Sequence, residues 1–289
     1  EARRYQPAET AAQFARSLER ELDLAVEARH VERLARNFEG DPHIVIPKVY
    51  GEWTSEVMNV QEHVDAIPGT DLAAVRAAGL DPQLLAARGV ESTLKMILID
   101  GFFHADPHPG NVLFLPGNRI VMIDCGMVGR LSPLRRNQVV DRLAGLARLD
   151  EEAMIDVLLD WAGDAHVDEA RLAADVNELV YDYEGVPLKD IRIGALIREF
   201  AAIIRRHSIV LPPDLTLMFK ALITMEGLGR QFDPGFHIID HLTPMIRRAV
   251  AERYQPAGLV RRGRGALAQV ANLLAGVPRD LSRLLRDAR

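Results

Sequence analysis

The sequence holds a single cysteine, Cys125, among its 289 residues. No intramolecular disulfide can form, and the composition fits a reducing compartment. No N-terminal apolar segment of signal-peptide character is present. No run reaches the roughly 18 apolar residues that a bilayer-spanning helix requires. Neither a recognisable address nor a membrane span is therefore expected, and the chain is read as cytoplasmic. Internal repeats and long low-complexity segments are also lacking. The formal charge of −6 is spread along the chain and leaves no basic body, so a nucleic-acid partner is not expected. The one basic stretch comes late, at Arg261, Arg262, Arg264, Arg279, Arg283, Arg286 and Arg289. On an amphipathic helix it could touch an anionic membrane peripherally, at the inner face. The chain begins at Glu1 rather than Met, which reads as a processed chain or a piece of a longer one.

What is present is an ordinary globular composition, 48% hydrophobic and 26% charged, sufficient for a real core. Apolar spacing predicts one long helix over residues 9–38. Its acids Glu21, Asp23 and Glu27 fit a solvated helix face, with Glu21 and Asp23 pointing to different sides. Two short strands are predicted over 44–50 and 56–64, and a turn over 65–69. Helices follow over 71–79, 82–100, 133–149, 151–162, 168–182, 189–207, 213–229 and 238–253. Residues 255–265 read as a linker and 266–288 as a basic amphipathic helix interrupted at Pro278. A little strand followed by a large helical mass predicts an α+β fold rather than a doubly wound sheet.

Residues 101–129 carry the chemistry. Asp106 stands in a loop stiffened by Pro107 and Pro109, and Asn111 follows five positions later. Two strands, Val112–Leu115 and 120–123, with a turn at 116–119, form a hairpin that returns Asp124 to the same end as Asn111. That set is what a protein-kinase-like nucleotide site needs. A loop Asp orients or deprotonates a hydroxyl, and an Asn and a second Asp hold Mg²⁺ against the phosphates. Glu27 would be the helix glutamate that pairs with a nucleotide-binding lysine. The second strand, with Glu62 and Val64, would lead into the hinge that meets an adenine. His104 belongs to the catalytic set through its place in His104-Ala105-Asp106. A rival reading takes His104, Asp106 and His108 as a transition-metal cluster of a hydrolase. Cys125, next to Asp124, reads as a small buried packing residue.

Together these residues resemble the UbiB family of atypical protein-kinase-like proteins, also called the aarF or ABC-one family. The resemblance rests on Glu21-Leu22-Asp23-Leu24 with Glu27, on Ile46-Pro47-Lys48-Val49-Tyr50, on the run from Gly101 to Asn111, and on Asp124-Cys125-Gly126-Met127. The late Leu211-Pro212, the run from Glu226 to Arg230, and Asp233-Pro234 carry it further. It implies a kinase-like fold, mostly the helical C-lobe with a partial N-lobe. Residues 1–64 would be the partial N-lobe, 65–254 the C-lobe with catalytic loop and metal hairpin, and 255–289 the linker and tail. It implies ATP and Mg²⁺ as cofactors and an ATPase or small-molecule phosphotransferase activity in ubiquinone and isoprenoid-quinone biosynthesis, with quinone-pathway lipids or enzymes as partners. On this resemblance Asp106, Glu27 and His104 are catalytic, and Asn111 and Asp124 hold the metal. Glu21, Asp23, Glu62 and Val64 contribute to cofactor binding; Glu21 and Asp23 match a Glu-x-Asp motif that meets an extension covering the site. The family's Lys-x-Gly-Gln extension, Ala-rich loop and strand lysine have no counterpart in these residues. The chain is accordingly expected to be a fragment with weak activity alone. The alternatives are a non-catalytic partner-binding module on the same fold and the metal-dependent hydrolase.

Overall fold

In the computed structural model, residues 23–146, 151–162, 167–184, 186 and 193–253 are described. Asp23 has extended backbone, and its Oδ1 accepts the amide of Ala25 at 3.0 Å, capping helix α1 (Leu24–Asn37). The uninterrupted helix expected over 9–38 is corrected at this point. An Asp whose carboxylate takes a backbone amide starts a helix more favourably than it continues one. Residues 9–22 of that expected helix lie outside the described residues. At the other end of α1, the Lys95 Nζ donates to the carbonyl of Asn37 and to Asp100 Oδ2, each at 2.8 Å. A cation on the last carbonyls complements the helix dipole and fixes α1 to the body.

The next segment departs from the predicted strand pair. Strand β1 (Ile44–Val45) is two residues long and runs parallel to a later strand instead of pairing with 56–64. Pro47 offers no amide to continue a ladder. Beyond it the two predicted strands meet only at the Val49–Gln61 bridge, with Tyr50 N on Val60 O at 2.9 Å and Glu62 N on Lys48 O at 2.8 Å. The expected turn over 65–69 instead contains strand β2 (Ile67–Pro68), at a sheet edge where a proline is tolerated.

Helix α2 (Leu72–Ala77) is capped by Asp71 and helix α3 (Pro82–Lys95) by Asp81. A π turn, Met96–Asp100, ends α3 at Gly101, whose φ of 64° a side chain would resist. Strand β3 (Phe102–His104), strand β4 (Val112–Leu115), strand β5 (Arg119–Met122) and strand β6 (Val128–Arg130) follow. The larger sheet runs β1-β5-β4-β2, and β3 pairs antiparallel with β6. The hairpin β4–β5 was expected and is antiparallel, with Val112 opposite Met122 and Leu115 opposite Arg119.

The helical mass consists of α4 (Pro133–Leu146), α5 (Glu151–Ala162), α6 (Glu169–Tyr183), α7 (Ile193–Arg206), α8 (Pro213–Phe232) and α9 (Ile238–Arg253). Each lies within a few residues of its predicted span. Helix α8 buries Leu215, Met218, Leu222, Met225 and Phe232 at helical spacing, largely against α3. Phe232 also meets Phe114 of β4 edge-to-face, with ring centroids 5.3 Å apart, so the hairpin rests on this helix. The buried carboxylate of Glu226 accepts the amide of Gly194 in the first turn of α7, where a negative charge is favoured.

The chain divides into two compact units, residues 1–245 and 246–289. In the second, the described part is the end of α9, where Arg248 and Glu252 pair at 3.0 Å. The linker and basic helix expected over 255–288 lie outside the described residues. No helix among the described residues is long and apolar enough to cross a membrane. A small sheet before a helical mass is the α+β class expected.

Where β3 meets β6, Gly129 faces Phe103, and a Cβ at 129 would stand 2.0 Å from that ring. Gly129→Ala is predicted to destabilise the protein by about 1–3 kcal/mol, the usual cost of overpacking a core. The check is the urea midpoint at unchanged slope; an unshifted midpoint would contradict this packing.

Candidate functional site

A cleft of about 900 Å³ is lined by the capping Asp23 and by Val26, Glu27 and His30 of α1, by Asp106 and Asn111 from the loop after β3, and by Asp124, Gly126, Met127, Val128 and Arg130 beyond β5. Helical spacing puts Asp23, Glu27 and His30 on one face of α1. The loop is built by short-range bonds. His108 N donates to Asp106 O at 2.8 Å, and Asn111 N to His108 O at 2.9 Å. The Asn111 Nδ2 donates to the Asp106 carbonyl at 3.2 Å. That contact commits the amide nitrogen and leaves the side-chain oxygen for another partner. One more rung extends the hairpin beyond β4–β5, with Ile123 N on Asn111 O at 3.0 Å. Asn111 and the residue preceding Asp124 are thereby held side by side.

Asp124 adopts φ 53°, a left-handed conformation costly for a side-chain-bearing residue. The chain then folds back, with Ala105 N on Met127 O at 3.0 Å and His104 opposite Val128 in the β3–β6 ladder. The segments before Asp106 and after Asp124 are therefore a single paired layer.

The site is acidic. Burial, reinforced by the neighbouring Asp124 carboxylate, holds the Glu27 carboxyl above its ordinary pKa. Burial pushes the Cys125 thiol up to about 12, and Glu27 and Asp124 add to the effect. Cys125 is fully buried and stays a neutral packing residue, as its sequence reading had it. Among the described residues the positive charges nearby include Arg29, 3.8 Å from Asp23 Oδ2, Arg130 and Lys220. The Lys220 Nζ lies 3.0 Å from Asp106 Oδ1 and 3.5 Å from Met127 Sδ.

The structure brings Asp23, Glu27, Asp106, Asn111 and Asp124 to one cleft. His104 is corrected. It is wholly buried, and its Nδ1 accepts the amide of Asp106 at 3.2 Å. Burial lowers its pKa, so it is a neutral support beneath the loop rather than a group facing the cleft. The convergence of His104, Asp106 and His108 on one metal is not found either. His108 Nδ1 turns to the amide of Gly110 at 3.0 Å. Among the described residues no group of three or more His, Cys, Asp or Glu side chains is placed to share a metal. Glu62 and Val64 are not among the residues lining the cleft; the Glu62 carboxylate caps Lys48 N at 3.2 Å on an exposed hairpin. Glu21 lies outside the described residues.

Two features escaped the sequence reading. His30 Nδ1 donates to the Cys125 carbonyl at 3.2 Å, and its Nε2 accepts from Arg130 at 3.0 Å. Burial lowers its pKa and keeps the ring neutral, as this pair of bonds requires. Its position three residues after Glu27 on the same face was the available signal. Lys220 gave none, because it arrives from a helix far along the chain.

The family model of the ABC1 atypical kinase-like domain matches residues 2–158, and that of the UbiB helical domain matches residues 176–237. A curated relative named "Probable protein kinase UbiB", from Azotobacter vinelandii, is 33% identical over 300 aligned positions, covering 100% of this chain and 55% of its own. A relative of the same name from Pseudomonas paraeruginosa is 32% identical over 98% of this chain and 54% of its own. The chain spans about half the length of the curated relatives it matches. A solved complex of Rv3197 with erythromycin, from Mycobacterium tuberculosis, superposes with a TM-score of 0.56 over 78% of this chain and 57% of its own. At 16% identity that likeness concerns the fold alone.

The raised Glu27 carboxyl has a pH consequence. The folded chain binds this proton more tightly than the unfolded chain, so its contribution to stability falls as pH rises through the interval just above the ordinary carboxylate range. Glu27→Gln is predicted to remove that decline, so that the variant gains on the parent as pH rises from about 4 to 7. Thermal melts across this interval check it; parallel curves would contradict the raised Glu27 pKa.

Proposed function

The chain belongs to the ABC1 atypical kinase-like family as a UbiB-type protein, and from this premise we propose that it binds Mg·ATP and transfers or hydrolyses its terminal phosphoryl group in ubiquinone and isoprenoid-quinone metabolism. The observation that carries the reading is the meeting of Asp106, Asn111 and Asp124 in one cleft of nucleotide size. Mg²⁺ takes oxygen ligands and keeps part of its water shell, so one carboxylate and one amide oxygen suit it. The donor set fits: the Asn111 amide nitrogen is already engaged by the loop, and Asp124 is ionisable and faces the cleft. Asn111 and Asp124 would hold the ion, which when bound would neutralise charge on the phosphates.

The remaining residues bind and orient. Asp106 accepts the proton of the attacking hydroxyl or water, positioned by its backbone bonds to His104 and His108. Glu27 and Asp23 add negative charge to the α1 side, where a cationic group brought to the cleft would be held. The Asn111–Ile123 rung fixes the two metal-holding side chains before any ligand arrives, which lowers the entropy cost of forming the site. Quinone-pathway lipids, or enzymes that act on them, are the proposed acceptors or partners.

Asp124→Asn is predicted to weaken Mg²⁺-dependent nucleotide binding about 10- to 100-fold, the worth of one charged contact. Asp106→Asn is predicted to leave that binding intact while lowering turnover about 10²- to 10⁴-fold, the range of a lost general base. Titration calorimetry with and without Mg²⁺, together with phosphate release, separates the two. Unchanged Mg²⁺-dependent binding in Asp124→Asn would overturn the reading.

A further inference from the structure

The geometry points to Lys220 as a catalytic residue, a cation carried on a helix of the UbiB helical domain to neutralise the transferring phosphoryl group beside Asp106. This rests on the phosphoryl-transfer reading above. The cleft presents Asp23, Glu27, Asp106 and Asp124 to a ligand that is itself a polyanion. Such a pair requires positive charge at the reacting end, and catalysis of phosphoryl transfer is largely placement of that charge. Arg130, the one cation among the described residues of the lining, donates to His30. Lys220 stands instead at the loop carboxylate itself, with Nζ 3.0 Å from Asp106 Oδ1.

The placement is built. Helix α8 buries Leu215, Met218, Phe219, Ala221 and Leu222, on both sides of Lys220, so the Cα of residue 220 is fixed by the core. Arg135 of α4 binds Asp214 in the first turn of α8 at 3.4 Å, tying down the same end of the helix. The side chain itself is 44% exposed. An ammonium has three donors. One is on Asp106 and a second is near the weak acceptor Met127 Sδ, which leaves a donor for an incoming phosphate oxygen. Of the 35 Lys and Arg residues only four are lysine, Lys48, Lys95, Lys189 and Lys220. A compact ammonium at this point, in a chain that otherwise uses guanidinium, suits a charge that must bridge a carboxylate and a phosphate at short range.

In the step itself, the acceptor oxygen forms a bond to the terminal phosphorus as the bond from that phosphorus to the bridging oxygen breaks. ADP departs with the bonding pair, and the acceptor proton passes to Asp106. Lys220 remains protonated throughout. Its contact with Asp106 before ligand binding keeps both side chains in place, and its contact with the phosphoryl oxygens strengthens as charge develops on them.

The test uses the whole chain. Lys220→Met and Lys220→Arg are compared with the parent for Mg·ADP affinity, ATP turnover and melting temperature. The expected result for Lys220→Met is Mg·ADP affinity within about twofold of the parent, an unshifted melt, and turnover reduced by about 100-fold or more. Lys220→Arg, which keeps the charge, recovers part of that loss. Turnover in Lys220→Met within about threefold of the parent would overturn the assignment while leaving the proposed function standing. An equal loss of ADP affinity, turnover and melting temperature would mark a structural ion pair and overturn it as well. A parent that shows neither Mg·ADP binding nor turnover would overturn the proposed function, and this assignment with it.

Discussion

A single main-chain hydrogen bond, from the Ile123 amide to the Asn111 carbonyl, sets the geometry on which the site depends. It is the last rung of the β4–β5 ladder, and it places Asn111 level with the residue preceding Asp124. Register matters because a slip of one residue would turn each side chain to the opposite face. Val112, Phe114, Ile120, Val121 and Met122 are all buried, so the apolar pattern pins that register from inside. Beyond the rung the chain turns at Asp124 in left-handed backbone, then returns along β3 through the Ala105–Met127 bond and the β6 ladder. Asn111, Asp124 and the loop Asp106 are thus parts of one continuous hydrogen-bonded layer, supported by α8 from below.

The electrostatics follow from what that layer gathers. Among the described residues four carboxylates share the cleft, and the raised Glu27 pKa records its partial burial, reinforced by the nearby Asp124 carboxylate. Such a surface favours cations and binds a polyanion only through them. His30 couples α1 to the same layer through the Cys125 carbonyl and Arg130, so the helix bearing Glu27 cannot shift without disturbing the backbone next to Asp124. The helical lobe adds Lys220. Asp106, the Asn111–Asp124 pair and Lys220 therefore come from three separate stretches of chain, and the hairpin is their common reference.

Much of this was legible in the sequence because its signals were local. Asn111 and Asp124 stand at the two ends of a hairpin written as two apolar runs around Pro116 and Gly117, and the helices beyond residue 133 announced themselves by period and by Pro or Gly stops. What escaped depends on contacts between distant segments. The parallel pairing of Ile44 and Val45 with Ile120 and Val121 has no local signature. His104 looked like a loop histidine of the catalytic set, yet the neighbouring Phe102 and Phe103 mark a strand that carries it wholly inside. Glu62 and Val64 were placed by analogy with a hinge, whereas the ladder at Lys48 and Glu62 leaves them outside the cleft lining. The helix expected from residue 9 failed at Asp23 because an Asp that caps and an Asp that merely rides a helix look alike until the backbone is known.

The central claim is that Asn111 and Asp124 hold one divalent ion against a nucleotide. The most direct measurement is electron paramagnetic resonance of Mn²⁺, in place of Mg²⁺, bound to the protein with ADP. The account predicts a bound Mn²⁺ whose spectrum carries phosphorus coupling from the nucleotide, lost when Asn111→Ala and Asp124→Asn are combined. A phosphorus-coupled, protein-bound Mn²⁺ that persists in the double variant would contradict it.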